Sequence, residues 1–424
     1  MSFNTISVVG LGYIGLPTAA MFASRKKAVI GVDINQKTVD TINKGRIHIV
    51  EPGLEAIVST AVKERYFKAT TKPESADAFL IAVPTPFKKD DMVIPEPDLS
   101  YIKAASEAIA PVLKKGDLVI LESTSPVGST EQMVEWLASA RPDLVFPSLT
   151  RKSAADIDVN IAHCPERVLP GHVVEELVSN DRVIGGMTEA CSARAIELYK
   201  LFVEGECVVT NARTAEMAKL TENSCRDVQI AFANELSVIC DKLDINVWEL
   251  ISLANRHPRI NILQPGPGVG GHCIAVDPWF IISKTPEQAQ LIHTARKVND
   301  SKPDWVINKV KIAIADFLQA NPTKTAKEVT IACYGLAFKP DIDDLRESPA
   351  LNITKQIANI HTGKVIAVEP NIAKLPANVD SFELTSFETA QQNAEVHLLL
   401  VDHKEFKATT VNCDLLIDTK GVWK

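Results

Sequence analysis

The sequence has no apolar run long enough to cross a bilayer. The longest, such as residues 28–32 and 398–401, are of strand length, against the roughly 18 residues that a spanning helix requires. No basic start precedes an apolar stretch either, the first basic residue being Arg25. Neither a membrane span nor a signal peptide is therefore expected, and the cytoplasm is the default location. Positive charge is also in short supply. Lys plus Arg number 45 against 53 Asp plus Glu, a formal net charge of -8, so no global field draws the chain to nucleic acid or anionic lipid. Any anionic ligand must be met by local cations. The eight cysteines (Cys164, Cys191, Cys207, Cys225, Cys240, Cys273, Cys333 and Cys413) form no Cys-x-x-Cys pair and lack His partners at zinc-finger spacing. No metal is expected, and most thiols are expected to be small, reduced core residues. What remains, 46% hydrophobic and 23% charged over 424 positions, describes a packed water-soluble chain too long for one core, so two or three domains are expected.

Between residues 5 and 210, β-rich runs at 6–9, 29–32, 79–83, 118–121, 182–184 and 207–209 alternate with helical patterns. Such alternation predicts a parallel sheet with helical crossovers. No Pro or Gly interrupts residues 214–243, which predicts one long helix suited to carrying dimer contacts; a second helix is expected over 247–255. A Gly/Pro-rich stretch follows at 264–273, then a helical pattern to about 319 and a polar linker at 321–327. Strand 330–334, Gly335, helix 350–360, strand 365–368 and acidic Glu369 then repeat in outline the opening order of strand, Gly10, helix, strand and Asp33. The expected fold is α/β: two Rossmann-like, doubly wound parallel-sheet domains, 1–210 and 321–424, joined by a central long-helix region, 211–320.

Gly10-Leu11-Gly12-Tyr13-Ile14-Gly15 follows a β-type run, opens a helical pattern and precedes Asp33 at the end of the second strand. In that context Gly10 permits a tight turn, Gly12 lets the backbone approach a pyrophosphate, and Gly15 lets helix pack on strand. Asp33 would accept hydrogen bonds from a ribose 2′-OH and repel a 2′-phosphate, which favours NAD over NADP. Two further strand ends, Val83-Pro84-Thr85-Pro86 and Glu122-Ser123-Thr124-Ser125-Pro126, offer the hydroxyls of Thr85 and Thr124 to a dinucleotide. Ser129-Thr130 could also cap the next helix and face the cofactor; ordinary turn and capping chemistry is the alternative for each of these hydroxyls.

Gly266-Pro267-Gly268-Val269-Gly270-Gly271-His272-Cys273 sets a cysteine where glycines allow close approach, just before a helix expected near Asp277-Pro278. A helix N-terminus or a cation would make that thiol a nucleophilic thiolate. Cys164, in His163-Cys164-Pro165-Glu166-Arg167, is the competing thiol, but the proline beside it and its strand-like lead-in favour a structural role. Lys219, Asn223 and Arg226, at i, i+4 and i+7, make one polar stripe on the long helix. A desolvated Lys219 could carry a proton or stabilise an oxyanion, and Asn223 could orient a water; a solvated face is the alternative. The segments 255–259 and 338–348 mix cations with turn residues, which suits a phosphorylated ligand or, equally, surface salt bridges.

Taken in order, the 10–15 loop, the 122–128 segment, Cys164-Pro165-Glu166-Arg167, the Lys219/Asn223 helix, Gly270-Gly271-His272-Cys273 with Asp277, and the 339–346 loop resemble the UDP-glucose/GDP-mannose dehydrogenase family, the UDP-sugar 6-dehydrogenases. The resemblance covers essentially the whole chain. Within it, His272 beside the cysteine, with Asn-Arg-His-Pro-Arg and Cys-Ile-Ala-Val-Asp-Pro, resembles the N-acetylhexosamine branch. The resemblance implies oxidation of a UDP-sugar C6 alcohol to a carboxylate by two NAD, through a thiohemiacetal and a thioester on Cys273, for cell-surface polysaccharide synthesis. UDP-N-acetyl-D-mannosamine is the substrate it implies; UDP-N-acetylglucosamine, UDP-glucose and a one-step two-electron oxidation are the alternatives. It also implies Lys219 as acid/base group, Asn223 and Asp277 as supports of the oxyanion and water, and Glu166 as a helper in hydrolysis. A UDP-binding C-terminal domain and a homodimer are implied, with Arg259 crossing to the neighbouring subunit's substrate. Arg167, Val168, Arg226, His257, Gly270, Phe338 and Lys339 match substrate-lining positions, and Arg346 a loop near both nucleotides.

Overall fold

The computed structural model describes residues 3–88, 93–148, 157–169, 171–271, 273–411, 413 and 415–423, which fall into two compact units. The first, Met1–Glu222 with Trp279–Lys284, is built on an eight-stranded sheet. Its strands are β1 (Thr5–Val9), β2 (Ala28–Val32), β3 (Phe67–Thr70), β4 (Ala78–Ile81), β5 (Leu118–Leu121), β6 (Asn160–His163), β7 (Arg182–Gly186) and β8 (Cys207–Asn211). They lie in the order 3-2-1-4-5-6-7-8. Helices cover both faces, which is why most strands read as continuous apolar runs: Ile6 and Val8 enter one core, Val9, Phe79 and Ile81 the other. The strand order reverses between β1 and β4, so the 10–15 loop and the 83–86 segment leave the sheet side by side at carboxyl ends.

Two features depart from the sequence expectation. Strand β3 went unpredicted and β6 was read only as a strand-like lead-in to Cys164, each being only four residues long. The sheet is also not parallel throughout: β7 runs antiparallel to β6, with Ala162 opposite Gly186 and His163 opposite Gly185. Among the described residues the chain between them carries only the seven-residue helix Val173–Ser179, and it re-enters the sheet at the end of β6 where it left.

The second unit, Asn223–Pro278 with Thr285–Lys424, contains a five-stranded, all-parallel sheet. Its strands are β9 (Ile331–Tyr334), β10 (Val365–Val368), β11 (Glu383–Leu384), β12 (Val396–Leu399) and β13 (Leu416–Asp418), in the order 11-10-9-12-13. This is the second doubly wound fold that the sequence outline predicts. Its acid behaves differently from Asp33, however. Glu369 is buried, and its Oε2 accepts the N–H groups of Leu336 at 2.7 Å and Ala337 at 3.1 Å and lies 3.1 Å from His403 Nε2.

The uninterrupted segment forms one helix, Ala212–Lys242, and a second 31-residue helix spans Gln290–Ala320. Within the second unit they meet along a buried polar seam. Arg296 pairs with Asp227 at 2.6 Å, Asn299 Nδ2 donates to Asp227 Oδ1 at 2.8 Å, and Asn234 Nδ2 donates to Asn299 Oδ1 at 2.9 Å. Asn234 Oδ1 in turn accepts the Gly266 N–H at 2.9 Å, tying the glycine-rich segment to the seam. Lys302, only 3% exposed, gives its Nζ to Ser237 Oγ at 2.5 Å and lies 3.6 Å from the centroid of the Trp305 ring.

Candidate active site

In the first unit the glycine loop has the three-part geometry its spacing predicts. Gly10 has φ +91°, and a Cβ there would meet the Ala82 carbonyl oxygen at 2.5 Å. A Cβ on Gly15 would fall 1.8 Å from the Gly10 oxygen, whereas one on Gly12 would meet nothing within 4 Å. The loop is thus closed on its strand side and open at Gly12. The helix Gly15–Ser24 begins with no side-chain cap; in its first turn the Leu16 N–H donates to the Gly12 carbonyl and the Thr18 N–H to the Ile14 carbonyl, both at 3.1 Å, and Pro17 has none, so it is the positive end of the helix dipole that faces the loop. Tyr13 is exposed and Ile14 half-buried beside it. Asp33 is held at the tip of β2, its carboxylate accepting Leu11 N–H at 3.1 Å and Asn35 N–H at 2.9 Å. Among the described residues, the buried hydroxyl oxygens of Thr85 and Ser125 find no hydrogen-bond partner, as suits strand ends that await a ligand. Thr124 lies half-buried beside Ser125. Thr130 differs: it is fully buried, and its hydroxyl donates to Glu216 Oε1 at 2.6 Å, so it fastens the long helix.

The first unit also holds Glu166, buried, with Arg182 NH1 and NH2 on its Oε2 at 2.8 and 2.5 Å. Arg167 pairs with Glu222 at 2.7 Å, and Val168 packs against the core. Lys219 is half-buried on the long helix, one turn before Asn223. Cys164 is fully buried, and burial pushes its thiol well up, which fits a structural residue.

In the second unit, Asn223 Nδ2 donates to Asp277 Oδ2 at 2.5 Å, and the Asp277 N–H donates to the Cys273 carbonyl at 2.9 Å. The exposed Cys273 therefore starts the turn that leads into the helix Asp277–Lys284. A Cβ on Gly270 would stand 2.4 Å from the Glu347 carbonyl oxygen and 3.0 Å from Phe338 Cβ, so glycine is what lets this segment lie on the 338–347 loop. Lys339 is exposed on that loop, and Arg346 is paired with Asp344. The 256–261 loop is clamped by Asn255, which exchanges hydrogen bonds with Ile262 at 2.9 and 2.7 Å and leaves His257 and Arg259 exposed; Arg226 is exposed on the helix. His272 lies outside the described residues.

Comparison with known proteins accounts for this arrangement. Three domains of the UDP-glucose/GDP-mannose dehydrogenase family match: the NAD binding domain over residues 4–203, the central domain over 213–301 and the UDP binding domain over 332–424. The chain belongs to that family. This NAD-dependent dehydrogenase is 65% identical, over 100% of both chains, to a UDP-N-acetyl-D-mannosamine dehydrogenase from Yersinia pestis. It is 60% identical to an NDP-N-acetyl-D-galactosaminuronic acid dehydrogenase from Ralstonia nicotianae, over 100% of this chain and 97% of that protein. The UDP-N-acetyl-mannosamine dehydrogenase of S. aureus shares its structure with TM-score 0.84 at 43% identity, over 99% of this chain and 96% of that one.

NAD fits the residues present: the open face at Gly12, the uncapped helix start, the fixed Asp33 and the unpartnered oxygens of Thr85 and Ser125 supply what the dinucleotide needs. Sequence reasoning missed two groups. Lys420, just beyond β13, lies 3.6 Å from where a Gly266 Cβ would stand and pairs with Asp402 at 3.3 Å; its place at the carboxyl end of a strand was the available signal. Arg182, holding Glu166, had no local signal. No helix among the described residues is long and apolar enough to cross a membrane.

Proposed function

We propose that this dehydrogenase oxidises the C6 alcohol of UDP-N-acetyl-D-mannosamine to UDP-N-acetyl-D-mannosaminuronate, in the cytoplasm, for cell-surface polysaccharide synthesis. The observation that carries the reading is the 65% identity over the full chain to a relative of that activity. We further propose a three-part chain: an NAD-binding part, 1–210; a central helical part, 211–320; and a UDP-binding part, 321–424. The three matched family domains support this division.

Bound NAD supplies the hydride acceptor for each of the two oxidations. Gly10, Gly12, Tyr13, Ile14, Gly15, Asp33, Thr85 and Thr124 hold it, and Arg346 approaches it from its loop. Thr130 supports that wall through Glu216. The UDP-sugar is held by Arg167, Val168, Arg226, His257, Gly270, Phe338 and Lys339. Lys219, or a water it orients, takes the C6 hydroxyl proton. The Cys273 thiolate then bonds to the aldehyde carbon as a thiohemiacetal, which is a second oxidisable alcohol, and its oxidation leaves a thioester. Water adds to the thioester carbon, Glu166 takes its proton, the C–S bond breaks, and Cys273 leaves as thiolate. Asn223 and Asp277, locked together at 2.5 Å, support the oxyanion and the attacking water.

The active form is proposed to be a homodimer in which Arg259 reaches the neighbouring subunit's substrate. Phe232, Ile239 and Leu243, 52%, 46% and 61% exposed, line one face of the long helix and its end, as a covered interface requires. A second reading, a galacto-configured N-acetylhexosamine substrate, is favoured by the 60% identity to the galactosaminuronic acid enzyme. NADH production assayed over a panel of UDP-sugars decides between them. Two NADH per UDP-N-acetyl-D-mannosamine is the expected result. One NADH per sugar, or turnover of the galacto isomer alone, overturns the first reading.

A further inference from the structure

The first unit buries a second carboxylate that the reaction above does not use. Glu122, directly after β5, is 1% exposed; its Oε1 accepts Arg182 NH2 at 3.2 Å and the Tyr199 hydroxyl at 3.1 Å, while its Oε2 has no partner among the described residues. Arg182, 5% exposed, also lies 4.1 Å from the centroid of the Tyr199 ring and gives two donors to Glu166. One guanidinium thus stands between two buried carboxylates. The sheet reversal builds this arrangement. In the β6–β7 register His163 opposes Gly185, and the same register continued past the end of β6 sets Arg182, the first residue of β7, opposite Glu166. Strand β5, parallel to β6 with Leu121 beside His163, delivers Glu122 to the other side of the same guanidinium.

Two carboxylates and one cation in so dry a place cannot all be ionised without leaving a negative charge short of a partner. The uneven sharing, two donors for Glu166 and one for Glu122, marks Glu122 as the acid that keeps a proton. Burial, opposed by Arg182 and reinforced by Glu166, pushes Glu122 up to about 7. The other groups around it stay neutral: burial pushes both the Tyr199 hydroxyl and the Cys164 thiol well up, and Thr18 offers only a hydroxyl.

We propose that Arg182 is a positioning residue for Glu166, and that Glu122 is the proton-carrying counterpart that decides how far Arg182 is shared. With Glu122 protonated, the guanidinium serves Glu166 alone and keeps its Oε2 fully occupied. With Glu122 ionised, the guanidinium is shared between the two carboxylates, the Glu166 Oε2 is less fully occupied and can accept from the attacking water, and thioester hydrolysis speeds up. This rests on the reading that Glu166 takes the proton of the attacking water.

The test uses the full-length protein with UDP-N-acetyl-D-mannosamine and NAD, rapid acid quenching, and mass spectrometry of the Cys273 peptide from about pH 6 to about pH 9. In the wild type, decay of the acyl adduct should accelerate through an inflection near about 7. In Glu122→Gln, which keeps the shape and the Oε1 acceptor, the inflection should vanish and decay should stay at its low-pH rate. Arg182→Lys should slow decay to a rate between those of wild type and Glu166→Gln, and Glu166→Gln itself should slow it about 10²–10⁴-fold. An unchanged inflection in Glu122→Gln, with wild-type decay in Arg182→Lys, overturns the proposal while leaving the role of Glu166 intact. Wild-type adduct decay in Glu166→Gln removes the reading beneath it.

Discussion

Replacing Lys302 by Met removes a buried amine that the fold holds at a cost. The amine is 3% exposed; burial lowers its affinity for a proton more than the nearby Asp241 raises it, bringing it from 10.5 in an exposed lysine down to about 7. The unfolded chain keeps the proton up to about its ordinary value, whereas the folded chain releases it from about 7 upward. Between those limits the unfolded state binds more protons, so stability rises with pH; below about pH 6 both states are protonated and the dependence vanishes. At about 1.4 kcal/mol per pH unit, reduced by half-protonation at the lower end, the gain from pH 7 to pH 9 is about 2 kcal/mol. For a cooperative unit of this size that is about 4–8 °C in Tm. Lys302→Met should be the more stable protein at pH 7, by at most about 4 kcal/mol, and should lack this rise. Ser237 Oγ still donates to the Asn234 carbonyl at 2.6 Å, so no hydroxyl proton is stranded by the change. Scanning calorimetry of both proteins at the two pH values measures it. An identical change of Tm with pH in wild type and Lys302→Met would show that the buried amine keeps its charge, and would refute the argument.

Gly15→Ala would force a methyl to within 1.8 Å of the Gly10 oxygen, and opening that turn should weaken NAD binding about tenfold or more, as read by titration calorimetry; unchanged affinity would show that the turn relaxes freely. Cys273→Ser should abolish sustained NADH formation and uronate release, and steady production of two NADH per sugar by that variant would remove Cys273 from the reaction. Phe232→Asp, on the exposed face of the long helix, should convert a dimer into a monomer by sedimentation, and an undisturbed dimer would move the interface elsewhere.

The glycine loop was legible in the sequence because its chemistry is local: three glycines, a strand before, a helix after and an acid at the next strand end are all fixed by spacing. The long helix was legible from the same kind of evidence, an uninterrupted run that lies at Ala212–Lys242. The reversal of β7 was not, since direction within a sheet depends on where a connection re-enters and not on the five residues of the strand. Nor was the bracket around Glu166. Arg182 lies 60 positions from Glu122 and 16 from Glu166, and no spacing in the sequence connects the three. Lys302 likewise sits in a helical pattern where lysine is ordinary, and only tertiary packing strips its water. Thr130 shows the converse: a hydroxyl at a helix start suggested a ligand contact, but Glu216, 86 residues away, claims it.

The contrast between Asp33 and Glu369 bears on how one chain keeps two nucleotide folds from competing. Each acid closes the second strand of its sheet and accepts the N–H two residues on, Asn35 for Asp33 and Asn371 for Glu369, yet in the carboxyl-terminal fold the other oxygen is clasped by Leu336, Ala337 and His403 together. Among the described residues Asp33 accepts two amides, one on each oxygen, and stands half-buried at its strand tip. The carboxylate better placed to take a further hydroxyl is therefore the one in the amino-terminal fold, while its duplicate spends one oxygen on fastening its own loop.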